Sequence, residues 1–356
     1  MLERGVLVRN REKGPWNSAG IASNGRKLRW RDMSWWNISQ LSLSGWTDPR
    51  RGVRWLGVGL CFLVTLFFPR VFPAFSGEAP VTVSTVRHLG VVGFYNPRLM
   101  YVKYQQLVDY LTETTGDRWE LAVTLDYEET VQALCSGKLD LAYLGPFTYL
   151  RVHEACGATP VVRLNTRGSA TFRSLIMVRQ DSPLQTLSDL AGTVFAFGSP
   201  LSTSAHLVPC LMLREAGLNP GEDFICRYLG HHDRAATAVV LGTADACGVR
   251  DIVGERFAER GLRILARSEP IPNFPLVLRP GASPEFRRSL VEVLMERPEH
   301  DPEIRRRMQG WDEELAGGFA PVSAADYLPV RRLVDRLFGR RGLVDPPQLL
   351  KCPGKG

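Results

Sequence analysis

The sequence predicts an α/β protein of two lobes, each a mainly parallel sheet flanked by helices. Three observations predict it. After Gly77, short apolar runs alternate with stretches of helical periodicity in a β-α-β-α-β order, which requires crossover helices on the faces of a mainly parallel sheet. A second unit of the same alternation starts near Ser174. Finally, Leu262 to Leu278 is extended and carries Pro270, Pro272 and Pro275, which suits a hinge segment crossing back to the first unit.

In chain order, Val81–Val86 reads as a strand, and Pro97 opens a helix with apolar positions at Leu99, Leu107, Val108 and Leu111, stopped at Gly116. Leu121–Leu125 is a strand, Glu128–Ser136 a short helix ended by Gly137, and Leu139–Leu144 a third strand broken by Gly145-Pro146. Another helix runs to about Ala155. Ligands of such sheets bind beyond the carboxyl ends of the strands. Tyr95 with Asn96, Asp126 with Tyr127, and Tyr143 with the Gly145-Pro146 loop all fall there.

Ser174–Arg179 is the strand that leaves this unit. The second unit then follows: a strand from Thr193, a helix to Ala216, a helix from His232 to Gly242, and a strand from Ala244 to Val249. Arg250 and Asp251 stand at the end of that strand, before a helix to about Arg260. Helical patterns at Pro284–Arg297 and Ala325–Phe338 are expected to pack outside. The predicted division is 77–174 plus 270–345 for the first lobe and 175–269 for the second.

One stretch of the second unit carries chemistry. Gly198-Ser199-Pro200-Leu201-Ser202-Thr203-Ser204-Ala205 joins the apolar run Val194–Phe197 to a helix start. The first amides of a helix have no internal partner, and its dipole favours negative charge there. Three hydroxyls beside them make a socket for a tetrahedral oxyanion. The same serines are also apt helix caps.

The net charge of +7 belongs wholly to the N-terminal extension. Residues 1–54 hold 11 Lys and Arg against 4 Asp and Glu, leaving 33 of each sign in the rest of the chain. The folded part has no basic surplus for phosphate backbones, which excludes nucleic acid as the expected partner. Residues 55–76 read as a signal h-region or membrane anchor. The run Trp55–Phe68 follows Arg50, Arg51 and Arg54, the order of an export signal, so the chain is expected in the periplasm with residues 55–68 cleaved or kept as an inner-membrane anchor. Met33 offers an alternative start.

Six cysteines follow: Cys135, Cys156, Cys210, Cys226, Cys247 and Cys352. Their spacing singles out no pairing among the fifteen possible, and buried free thiols are expected. No CxxC pair or HExxH stretch occurs, so no metal is expected, and nothing points to a cofactor.

From Gly77 to Arg340 the sequence resembles the periplasmic phosphonate/phosphite/phosphate-binding proteins of ABC transporters, which have the two-lobed type II periplasmic binding protein fold. Asp126-Tyr127, Lys138-Leu139-Asp140-Leu141-Ala142-Tyr143-Leu144-Gly145-Pro146, Ser202-Thr203-Ser204 with Pro209, His232-Asp233 and Ala244-Asp245-Ala246 carry the resemblance, in the family's order. It implies that Ser202, Thr203 and Ser204 hold the oxyanion and that His232 donates to it. Tyr127 and Tyr143 would close over it from the first lobe, and Asp251 would line the second. Asp251 is also placed to begin a helix, and the tyrosines could be lobe-interface aromatics.

Three positions depart from the pattern. Phe274 stands where aminophosphonate binders carry a carboxylate, which disfavours an amine-bearing ligand. Ala205 replaces a glycine, and Cys247 a small residue near the cleft. The expectation is a monomeric solute-binding protein that delivers a phosphorus oxyanion to an ABC permease. The alternative is a membrane-anchored oxyanion-sensing subunit, phosphate- or arsenite-type, that partners a sensor histidine kinase. No nucleophile–base–acid trio is present, so no catalysis is predicted.

Overall fold

Among the described residues of the computed structural model, thirteen strands fall into three sheets whose order shows where the chain crosses between lobes. The structure describes residues 85–345 and 351–352. The N-terminal extension, the apolar segment 55–76 and the start of the strand expected from Val81 lie outside them.

The first lobe is built on β1 (Val86–Val91), β2 (Arg118–Val123), β3 (Leu141–Tyr143) and β4 (Thr159–Leu164). The crossing pair is β5 (Thr171–Phe172) and, later, β11 (Ile271–Pro272). The second lobe holds β6 (Ser174–Arg179), β7 (Val194–Phe197), β8 (Ile225–Tyr228), β9 (Ala246–Arg250) and β10 (Leu262–Arg267). The chain then returns to the first sheet with β12 (Pro275–Leu278) and β13 (Phe319–Ala320).

The sheet orders are β13-β4-β12-β3-β1-β2 and β10-β6-β9-β7-β8. β1 runs parallel to β2 and β3, and β7 runs parallel to β8 and β9. The return strand β12 is inserted antiparallel between β3 and β4, and β6 lies antiparallel to β9 and β10. Both sheets are therefore mixed: β12 and β13 run against the other strands of the first sheet, and β6 against the other strands of the second.

Of the strand expected over Val81–Val86, residues 81–84 lie outside the described residues; β1 extends it to Val91, where Leu89, Gly90 and Val91 meet Leu141, Ala142 and Tyr143. A Cβ at Gly90 would come within 2.3 Å of the Leu139 side chain, so this register needs a glycine.

The helices are α1 (Pro97–Thr115), α2 (Tyr127–Cys135), α3 (Pro146–Cys156), α4 (Val208–Glu215), α5 (His232–Val240), α6 (Asp251–Ala258), α7 (Pro284–Val291), α8 (Arg297–His300), α9 (Pro302–Gln309) and α10 (Leu328–Phe338). Their starts follow local chemistry. Asn96 caps α1 by accepting from the Leu99 amide at 3.1 Å, and Asp126 caps α2 by accepting from Glu129 at 2.8 Å. Among the described residues, no helix is long and apolar enough to cross a membrane.

The crossing is a short two-stranded ribbon in which Ile271 pairs with Phe172 and Pro272 with Thr171. The Asn273 amide donates to Ala170 O at 2.9 Å, and the Ser174 and Ser268 amides bond across it. Two adjacent extended segments can bend together, which is the geometry of a hinge.

The cysteines correct the sequence expectation. Cys135 is bonded to Cys156, joining the ends of α2 and α3, and Cys210 on α4 is bonded to Cys352. Cys226 and Cys247 are the free thiols among the described residues. The second bridge spans 142 positions, so only the packed fold brings its halves together.

Candidate functional site

Proline shapes the loop after β7. Pro209 has no N–H, so the Ala205 carbonyl one turn back loses its helical partner. Thr203–Leu207 accordingly forms a wide π-type turn in which the Leu207 amide reaches Ser202 O at 3.0 Å. The Gly198 amide takes the freed Ala205 carbonyl at 2.9 Å, strapping the turn to the end of β7. That closeness requires Gly198, since a Cβ there would lie 2.7 Å from the Ala205 methyl. Gly248 in β9 makes room in the same way for the Pro209 ring, 2.6 Å from its would-be Cβ.

The wide turn presents Ser202, Thr203 and Ser204, all buried. Ser202 is indeed the cap, with its hydroxyl accepting from the Ala205 amide at 3.1 Å. The same oxygen lies 3.0 Å from His232 Nε2. The Arg250 amide donates to His232 Nδ1 at 3.2 Å, so Nε2 carries the imidazole proton and donates to Ser202. Burial lowers the His232 pKa to about 3, with the Arg250 charge and then His231 adding to the effect, so the ring is neutral at physiological pH.

The Thr203 hydroxyl accepts from the Phe147 amide of the first lobe at 2.9 Å. Ser204 is 1% exposed, and its hydroxyl has no hydrogen-bond partner among the described residues. A buried unmatched hydroxyl costs stability unless a ligand meets it.

Tyr127 joins this group. It is buried, and burial raises its phenol pKa against the pull of a hydrogen bond with Ser202. Around it the lobes meet on first-lobe carbonyls: the His232 amide donates to Phe94 O at 3.0 Å, and the imidazole Nδ1 of His231 lies 2.5 Å from Gly93 O. A crevice of about 360 Å³ opens beside the group, lined by Asp126, Tyr127, Ser199 and His231 among others.

Tyr143 and Asp251 have other partners. The Tyr143 hydroxyl donates to Glu314 at 2.6 Å and accepts from Arg250 at 3.1 Å. Asp251 opens α6, accepts from the Arg173 amide at 2.8 Å, and lies beside the crossing ribbon rather than in the serine turn. Phe274 is buried, its ring stacked on Tyr143 with centroids 5.1 Å apart. Cys247 sits within the second sheet between Met177 and Ala196, where burial raises its thiol pKa; it is a packing residue there.

Sequence reasoning missed the charged cluster behind Tyr143. Arg250 is fully buried and ion-paired with Glu314, itself 1% exposed. Glu314 also accepts from Tyr104 at 3.0 Å, and Arg250 donates to Asn273 Oδ1 at 2.9 Å. Glu314 lies between α9 and β13, 64 positions from Arg250, in a stretch without a motif that could announce it.

Fold and site define a class: two-lobed binding proteins that close a cleft on a small solute. Residues 89–327 match the family described as "ABC transporter, phosphonate, periplasmic substrate-binding protein", and the chain belongs to that family. The phosphate-import protein PhnD of Mycolicibacterium smegmatis is 28% identical over 275 residues, covering 69% of this chain and 84% of the relative. The phosphonates-binding periplasmic protein of Escherichia coli is 25% identical over 224 residues, covering 58% and 64%. Among solved structures, a binding protein component of an ABC phosphonate transporter from Pseudomonas aeruginosa superposes with a TM-score of 0.65 at 21% identity, covering 73% of this chain and 88% of that one. PhnD1 from Prochlorococcus marinus, in complex with methylphosphonate, gives 0.64 at 18% identity, covering 72% and 99%. Members of the family are periplasmic substrate-binding subunits that serve ABC permeases, not enzymes.

Proposed function

We propose that this chain captures a compact phosphorus oxyanion, such as phosphate, phosphite or a small phosphonate, in the turn Ser202–Ser204, and hands it as a monomer to an ABC permease. The observation that carries the reading is the buried Ser204 hydroxyl without a partner among the described residues, in the same turn as two hydroxyls already engaged by the Phe147 amide and by His232. Three hydroxyl protons and the first amides of the turn supply donors, and the helix end favours negative charge. Tyr127 contributes a donor from the first lobe. His232 is neutral and orients Ser202 through its Nε2–H, so it adds no charge of its own that must be neutralised when the site is empty.

Each hydrogen bond to the charged ligand contributes about 1.5–3 kcal/mol, and three or four support roughly micromolar affinity after association costs. Bending at the crossing ribbon lets both lobes share the ligand. Calorimetry with phosphate, phosphite and methylphosphonate tests the reading. At least one should bind, and Ser204→Ala should weaken it about 10–100-fold, the loss of one such bond. If none of the three binds, or Ser204→Ala leaves the affinity unchanged, the assignment fails. Isolating the intact chain from membranes with its partners separates transport from sensing: a permease supports the proposal, a histidine kinase the sensor.

A further inference from the structure

The guanidinium of Arg250 occupies the protein interior beside the serine turn. Its own backbone amide holds His232, which holds Ser202, so Arg250 is linked to the serine turn through one imidazole ring. The guanidinium carbon lies 4.3 Å from the Phe274 ring centre and 5.0 Å from that of Phe172. Phe274 and Thr203 both flank Gly145. A Cβ built on Gly145 would touch the Phe274 ring and the Thr203 hydroxyl alike, each at 3.5 Å. The wall next to the socket is therefore a phenyl ring with a buried cation against its face.

That cation is nearly but not fully matched. Its terminal nitrogens reach Glu314, Tyr143 and Asn273, while Nε, also buried, makes no hydrogen bond among the described residues and has Asp251 Oδ1 at 3.8 Å. Burial alone would lower the Arg250 pKa, but the neighbouring Tyr143 and Glu314 more than offset it; the side chain stays charged.

We propose that Arg250 is a specificity-determining residue: its guanidinium, the positive end of the buried pair with Glu314 and the end that lies against Phe274, fills the space beside the socket, so the site takes oxyanions with a small or absent substituent and rejects those bearing a cationic tail. The inference rests on the oxyanion reading above. A ligand ammonium brought to this wall meets a like charge in a medium that screens poorly, and must shed its water to do so. Glu314 is the latent counterpart. With Arg250 removed, its carboxylate keeps the Tyr104 and Tyr143 donors but loses its cation, and becomes an acceptor for an ammonium.

The test is calorimetry of the intact protein with methylphosphonate, 2-aminoethylphosphonate and propylphosphonate. Wild type should prefer methylphosphonate to either longer ligand by 100-fold or more. Arg250→Ala should move the ratio at least tenfold toward 2-aminoethylphosphonate. The double variant Arg250→Ala/Glu314→Gln should lose that gain and bind propylphosphonate at least tenfold better than wild type. Because Arg250→Ala leaves a buried carboxylate unpaired and can fail to fold, the neutral double variant decides the steric half by itself. Wild type binding 2-aminoethylphosphonate within threefold of methylphosphonate overturns the proposal. So does a folded Arg250→Ala protein with an unchanged ratio, or a double variant that gains nothing for propylphosphonate. If wild type binds neither methylphosphonate nor inorganic phosphate, the oxyanion reading itself has failed, which is a different result from altered preference among bound phosphonates.

Discussion

The imidazole of His232 accepts a hydrogen bond from the Arg250 amide on one side and donates one to Ser202 on the other. It has no room for a second proton, and its pKa falls to about 3. His206 is kept neutral by burial alone: its Nδ1 donates to Pro200 O at 2.7 Å, and burial lowers its pKa to about 4 although that carbonyl pulls the other way. The unfolded chain takes up these protons near pH 6.5, so between pH 6.5 and about 4 the unfolded state binds more protons than the folded one. The stability they confer is full above pH 6.5 and declines as the pH falls. Each histidine costs up to about 2 kcal/mol by pH 5, at 1.36 kcal/mol per unit. Scanning calorimetry at pH 7.5 and 5 should show a clear fall in melting temperature, and one unchanged apart from buffer effects would refute neutral burial. Ser202→Ala should cost about 1 kcal/mol as a lost cap and weaken oxyanion binding as well; a loss of stability alone would reduce Ser202 to the cap. Much of this was legible beforehand. Three hydroxyls after a short strand, and a histidine before an alanine-rich helix, are local patterns. The Arg250–Glu314 pair was not, since tertiary packing makes that contact and neither residue sits in a local pattern.

The turn Thr203–Leu207 is the element on which the site depends, and Pro209 sets its width. Replacing Pro209 with Ala supplies an N–H that competes with Gly198 for the Ala205 carbonyl. The turn should tighten toward an ordinary helix, weakening ligand binding with little loss of melting temperature; equal loss of both would make Pro209 merely a packing residue. Gly198→Ala instead forces a methyl to within 2.7 Å of another, an overpacking that typically costs about 1–3 kcal/mol, readable by urea unfolding. Most helix starts were legible from proline and cap residues: α1 begins at Pro97 as read. Strands were read less well. β8 and β4 give no clear period, because β8 is a half-exposed edge strand (Ile225–Tyr228) and β4 contains Pro160. The antiparallel insertion of β12 between β3 and β4 could not be read from element order, since a return strand carries no mark of the gap it will fill.

Across the whole molecule the lobes are held by polar contacts on both sides of the ribbon. Thr148 Oγ1 donates to Leu201 O at 3.2 Å, and Glu313 accepts from Arg256 at 2.8 and 3.1 Å while also pairing with Arg167. These carboxylate pairs are partly exposed and contribute about 1 kcal/mol or less each. That is enough to bias a balance between open and closed lobes without locking it. Arg256→Glu should enlarge the radius of gyration of the ligand-free protein in X-ray scattering, and saturating oxyanion should reverse the increase; identical curves would exclude these pairs from closure. The bridge from Cys210 to Cys352 acts at this scale too, and it imposes an order on maturation. A chain emerging from its amino end into an oxidising compartment presents Cys210 after the Cys135–Cys156 pair, then Cys226 and Cys247, and the true partner of Cys210 last. Oxidation in order of appearance would join the wrong sulfurs. Burial in the folded lobe withholds them, raising the Cys226 thiol pKa to about 11 and that of Cys247 further, which starves both of thiolate. Correct pairing thus depends on the second lobe packing before its cysteines meet an oxidant, or on a thiol exchange catalyst that undoes early mistakes.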